Sequence, residues 1–155
     1  DLGEPGDQVL EDAVELLDTP QARRVAAATR TLAELLIADD DWRTPDLTGV
    51  DVVAQPHCHH HAVMGYTTDM ALISDAGAKV ERVGGCCGLA GNFGMEQGHY
   101  DISVAVAEQQ LLPAVRKADD GTVVLADGFS CRTQLADLAE RDGKHLAELL
   151  AERLD

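Results

Sequence analysis

The chain has 155 residues, 45% of them apolar, which is enough for one folded domain and unlike a disordered segment. Its 28 acidic and 12 basic residues give a formal charge of −16, a field that repels nucleic acid and anionic membranes. The longest apolar runs are too short to cross a bilayer, and no basic segment precedes an apolar one, so neither a transmembrane segment nor a signal peptide is expected. Such charge usually serves solubility, and a basic partner subunit or domain is its other use. The sequence opens on Asp1 with no Met, as expected of a piece cut from a longer protein.

Residues 1–18 read as the end of that piece: Asp1 to Asp7 is polar and loose, and Gln8 to Leu17 has helical character. Residues 19–155 are expected to form a single domain. Thr19 can cap a helix, Pro20 suits its first turn, and Val25, Ala28, Leu32, Leu35 and Leu36 share a stripe, which predicts one helix ending near Asp39. Two polar turns follow around Trp42 and Pro45. The texture then becomes strand, loop, helix, three times over. Val50 to Ala54 is a β-branched strand, followed by Gln55 to His61 and a helix to about Ala76, with Gly77 as terminator. Lys79 to Val83 is a weaker strand, followed by a glycine-rich loop, Gly84 to Gly94, and a helix from about Gly98 through Leu112 that Pro113 kinks or restarts. Thr122 to Ala126 is the third strand and leads through Gly128 and Cys131 into a helix. A last amphipathic helix runs from about His145 to Leu154, with Leu146, Leu149 and Leu150 inward. Strands alternating with helices imply right-handed crossovers and a parallel sheet. The expected fold is a small three-layer α/β domain, Rossmann-like, with the N-terminal helices as an extra layer.

Four cysteines could form two disulfides, but Cys86 and Cys87 are neighbours, a strained pairing, and no secretory context supports oxidation. Metal or redox chemistry is the better default. Cys58 follows the first strand, Cys86 and Cys87 the second, and Cys131 the third. In a parallel sheet the strand C-termini lie along one edge, where ligand sites of open α/β sheets form. Thiols 28 and 44 positions apart should therefore converge. A single free cysteine is commonly just a small core residue; four in three equivalent loops rich in Gly, Ser and His are unlike core composition. Thiolates favour zinc, copper(I) or iron–sulfur clusters. Zinc sites usually use short CxxC or HxxxH knuckles, and no CxxC exists here. Wide spacing with one Cys-Cys pair suits a larger object, since adjacent thiolates can reach different irons.

His57, His59, His60 and His61 surround Cys58. Each is a candidate ligand or a hydrogen-bond partner of the site, His57 and His61 above all in the second role; the bland alternative is helix capping or a solvated face. His99, after Gly98, reads as a helix cap, and His145 on the last helix as having no part in the site. The loop from Gly84 to Gly94 holds five glycines, among them Gly85 and Gly88, which permit close backbone approach and bare amides. It lacks the Walker pattern and any Lys or Arg, which argues against a phosphate loop. Arg132 follows Cys131 and could offset thiolate charge.

Cys86-Cys87-Gly88, flanked by Cys58 and Cys131, resembles the cysteine-rich CCG domain found in heterodisulfide reductase, the glycolate oxidase iron–sulfur subunit, anaerobic glycerol-3-phosphate dehydrogenase and lactate-utilisation proteins. The runs Gln55-Pro56-His57-Cys58-His59-His60-His61, Gly85-Cys86-Cys87-Gly88 with Gly91 and Phe93-Gly94, Gly98-His99-Tyr100 and Asp127-Gly128-Phe129-Ser130-Cys131-Arg132 are similar to the C-terminal end of fused FAD-linked oxidases with iron–sulfur domains. The resemblance covers roughly Thr29 to Leu154. It implies an iron–sulfur-binding, electron-transferring domain, of 4Fe–4S type, held by Cys58, Cys86, Cys87 and Cys131, with His57, His59, His61, Gly85, Gly88 and Arg132 around it. It implies a flavin domain that oxidises a lactate- or glycolate-type 2-hydroxy acid, FAD lying in the missing part of the parent, along with ferredoxin-like domains and a second CCG module. Location would be cytoplasmic, or peripheral to the inner face of the membrane. The family's pattern ends in CxxC, whereas here it ends Cys131-Arg132-Thr133-Gln134, one ligand fewer than the non-cubane cluster of heterodisulfide reductase uses. Two rivals remain open: a structural zinc domain, zinc also being a possible substitute in a cluster site, and a metal-free interaction module.

Overall fold

The computed structural model describes residues 14–154. Asp1 to Asp7 and most of the expected first helix lie outside these residues; 14–17 are helical. Strand β1 is Asp51–Ala54, β2 Lys79–Arg82, β3 Val123–Leu125 and β4 Gly143–Lys144, all parallel, in the spatial order β2-β1-β3-β4. The three expected strands are thus present, one residue shorter at one or both ends. The fourth was not expected: Gly143-Lys144 carries no apolar alternation, and joins the sheet through backbone pairing with Val124 and Leu125.

The helices are shorter and more numerous than the sequence suggests. α1 (Pro20–Ala28) and α2 (Leu32–Ala38) replace the single expected helix. Thr29 and Thr31 are extended, and Thr31 restarts the chain with a reciprocal cap, its hydroxyl accepting from Glu34 N–H while the Glu34 carboxylate accepts from Thr31 N–H. The stripe is broken accordingly, and Val25 and Leu35 are exposed. The next predicted helix divides at Gly65 into α3 (Cys58–Val63) and α4 (Thr67–Asp75). Gly77, with φ +100°, ends α4 as expected. α5 (Tyr100–Ala107) and α6 (Leu111–Lys117) follow, and Pro113 sits in the first turn of α6, where its missing N–H leaves no helical bond unmade. α7 is Phe129–Ala139 and α8 Leu146–Ala151.

Side chains alternate across the sheet, so it buries two faces. Val52, Ala54 and Leu125 pack with Leu72 and Ile73 of α4 and Leu146, Leu149 and Leu150 of α8; Ala33 of α2 joins the same cluster. Val53, Val124 and Ala126 pack with Leu111 and Val115 of α6 and Leu135 of α7. This is the expected three-layer arrangement. Among the described residues no helix is long and apolar enough to cross a membrane.

Candidate functional site

The chain leaves β1 toward one side of the sheet and β3 toward the other, because β2 and β4 flank them on opposite sides. The direction of winding therefore reverses between β1 and β3, the place where ligand sites of open α/β sheets form. Cys58 is the first residue of α3 after β1, and Cys131 lies in the first turn of α7 after β3. Cys86 and Cys87 lie in the loop after β2.

All four cysteines are free. Their thiols interact as one connected group, Cys58 with Cys86, Cys86 with Cys87, and Cys87 with Cys131. The group runs from surface to interior, with Cys58 exposed, Cys86 half-buried, and Cys87 and Cys131 buried within the second core cluster. Its electrostatics are uneven. The Cys131 thiol donates to Cys87, and the backbone N–H groups of Leu89 and Ala90 also point at that sulfur, so despite burial its pKa falls to about 6. Cys131, the donor, is pushed up by that same bond and by burial. Cys58 is exposed as a residue, but its sulfur faces Cys86; loss of solvation there, then the neighbouring thiols, raise it to about 11.

Among the glycines that permit this loop geometry, Gly88 makes the closest approach. Gly88 has φ +92°, and a Cβ there would lie 2.2 Å from Ser103 O. Its N–H donates to Cys86 Sγ at 3.3 Å. Three successive amides, of residues 88, 89 and 90, thus face the sulfurs of Cys86 and Cys87, a concavity suited to negative charge.

Of the other expected site residues, Gly85 presents its carbonyl to Gln55 Nε2 at 3.2 Å, tying the first cysteine loop to the second. His57 stands at the N-cap of α3, and Gly128 comes so close that a Cβ would meet its ring at 2.4 Å, which joins the first loop to the third. His59 is half-buried on α3. His61 is exposed and its ring lies 3.0 Å from Arg82 at the end of β2. Arg132 lies 3.8 Å from Glu148 of α8. His99 occupies the N-cap position of α5, but its side chain does not cap; it stacks on Phe93 at 4.2 Å. His145 is not bland: it caps α8, accepting from Ala147 N–H at 3.0 Å.

Sequence reasoning passed over two glutamines. Gln55 is fully buried beneath the site, and the Gln-Pro-His-Cys run that contains it was the available signal. Gln134 stands three residues after Cys131, where the CCG pattern that the sequence resembles would have its last cysteine. It is buried and donates to Ser103 Oγ at 2.9 Å, the same serine whose carbonyl packs on Gly88. An amide bracing the loop stands where a fifth thiol would be.

No family model matches the chain, and no solved structure matches it. Curated proteins do. The chain resembles D-2-hydroxyglutarate dehydrogenases over about half its length. It is 34% identical to that of Pantoea ananatis and 32% identical to that of Escherichia coli, each over 83 residues, 53% of this chain and 8% of the relative. It is 35% identical over 66 residues to that of Pseudomonas putida, 43% of this chain and 6% of the relative. The chain thus matches less than a tenth of the length of these relatives.

Proposed function

We propose that this chain is an iron–sulfur-binding, electron-transferring CCG domain of a flavin-linked 2-hydroxy-acid oxidoreductase, with D-2-hydroxyglutarate as the substrate of the parent enzyme. The observation that carries the reading is the convergence of four free thiols at the switch point of the sheet, with backbone amides aimed at two of them. The donor set fits the group: it is all sulfur, the surroundings of Cys87 favour its ionised form, and the loop carries no side-chain cation to compensate it. Cys58, Cys86, Cys87 and Cys131 would hold the cluster, and a bound cluster supplies uptake and release of one electron.

The chain's own residues do the rest. Amides 88 to 90 stabilise negative charge on the sulfurs, which also sets the potential. Burial of Cys87, Leu89 and Cys131 keeps water from the inner side, while exposed Cys58 marks the edge from which a partner can exchange electrons. The flavin domain, ferredoxin-like domains and a second CCG module belong in this reading to the parent chain, in the cytoplasm or against the inner face of the membrane. The relatives' dehydrogenase activity, as their names give it, and the small share of their length that is matched support it.

Anaerobic reconstitution with iron and sulfide tests the proposal. The expected product is brown, with broad visible charge-transfer absorption and about four irons and four sulfides per chain. Colourless protein that takes up zinc on the same cysteines would replace it with the structural zinc reading, and colourless protein that takes up no metal with the interaction module.

A further inference from the structure

A second group of potential ligands lies apart from the thiols. His60 on α3, Asp69 on α4 and Asp127 between β3 and α7 place one ligand atom each within 4.8 Å of one another. His60 is 7% exposed and Asp69 3%. His60 Nε2 and Asp69 Oδ2 face each other at 3.6 Å, and neither atom has a hydrogen-bond partner. That distance is too long for a hydrogen bond between them. Two fully buried, unsatisfied polar atoms aimed at one point are costly unless something occupies it. Around a tetrahedral ion at zinc's usual N and O distances, neighbouring ligand atoms lie about 3.4 Å apart, close to the separation found here.

The surroundings support ligation. Asp127 Oδ1 accepts from Leu146 N–H at 2.8 Å, with His145 Nε2 at 3.9 Å, contacts that orient a carboxylate. Tyr66 packs edge-on against the His60 ring at 5.5 Å and fixes its plane. We propose that His60, Asp69 and Asp127 form a buried site for a single divalent first-row cation, separate from the cysteine site. One imidazole and two carboxylates make a nitrogen–oxygen donor set, suited to manganese, iron(II) or zinc and unlike the sulfur set beside it. The ion would tie α3 to α4 and to the loop after β3. Since α3 also carries Cys58, and Asp127 lies four residues before Cys131, it would brace two of the three cysteine loops.

Manganese separates this site from the thiols, because it prefers carboxylate and imidazole to sulfur. Chelator-treated, reduced protein is titrated with Mn2+ while the electron paramagnetic resonance signal of the free ion is followed. The expected result is one Mn2+ bound per chain and a rise in melting temperature with Mn2+. Stoichiometry should survive in Cys87→Ser and affinity should fall at least tenfold in Asp69→Asn and in His60→Gln. His60→Gln keeps the packing volume near α3 and covers the case in which the aspartate variant misfolds. Wild-type protein that binds no Mn2+ at about 1 mM, as when a shared proton closes the His60–Asp69 pair, overturns the proposal. So does binding that is lost in Cys87→Ser, or that persists unchanged in both Asp69→Asn and His60→Gln.

Discussion

At Cys87 a neighbouring thiol and the backbone act on one sulfur. The Cys131 bond and the Leu89 and Ala90 amides prepare an anion in a buried place, which is what a metal thiolate requires and an ordinary core cysteine avoids. Cys87→Ser removes the soft ligand and keeps the shape. Iron retained after anaerobic reconstitution should fall severalfold, while far-UV circular dichroism stays that of the wild type. Because Cys87 belongs to the second core cluster, a hydroxyl there should also cost about 1–2 kcal/mol in urea unfolding. Equal iron content in the variant would remove Cys87 from the site. His145 gives the contrasting case. Its Nδ1 caps α8 and its backbone N–H meets Glu148, so His145→Ala should lose about 1 kcal/mol of stability. Iron loading should stay at the wild-type level, since the residue touches none of the thiols.

The loop from Gly84 to Gly94 shows what an element contributes beyond its residues. It has no strand and only a short 3₁₀ turn, Phe93–Met95, so its shape comes from the backbone, from Gln55 below and from the packing of Gly88 on Ser103. Gly88→Ala places a methyl 2.2 Å from a carbonyl oxygen and forces a residue with φ +92° out of its region. The loop must move, and the amide that serves Cys86 moves with it. Reconstitution should then fail nearly as completely as in Cys87→Ser, although all four thiols remain; normal iron loading would show that the loop tolerates the shift. The β-branched runs made three strands legible in the sequence, and the position of each cysteine after a strand made their convergence legible too. β4 was not legible, because a glycine and a lysine carry no pattern and pair through backbone alone. The division into α1 and α2 was written in Thr31 and Glu34, a capping box obscured by the apolar residues on either side. The His60, Asp69 and Asp127 group had no local signature, since its members come from three elements and meet only when the sheet is assembled.

Across the whole molecule, two properties bear on the proposed function. Under the proposed function, the formal charge of −16 would favour a basic surface as neighbour, and the exposed Cys58 would be where that neighbour receives or delivers electrons. The proposed division of labour separates two half-reactions. Substrate oxidation would reduce the flavin elsewhere in the parent, and passage of electrons onward would need this domain. Cys87→Ser introduced into the full-length protein should therefore leave rapid bleaching of the flavin by D-2-hydroxyglutarate unchanged in stopped-flow measurements. Reoxidation through the acceptor, and with it steady-state turnover, should fall at least tenfold, about 1.4 kcal/mol in barrier terms. The two readouts must part for the reading to hold, because a variant that misfolds the parent would slow both. Full turnover in a variant that no longer holds iron at this site would mean that electrons reach the acceptor by a route that bypasses the domain, and its four thiols would then serve structure alone.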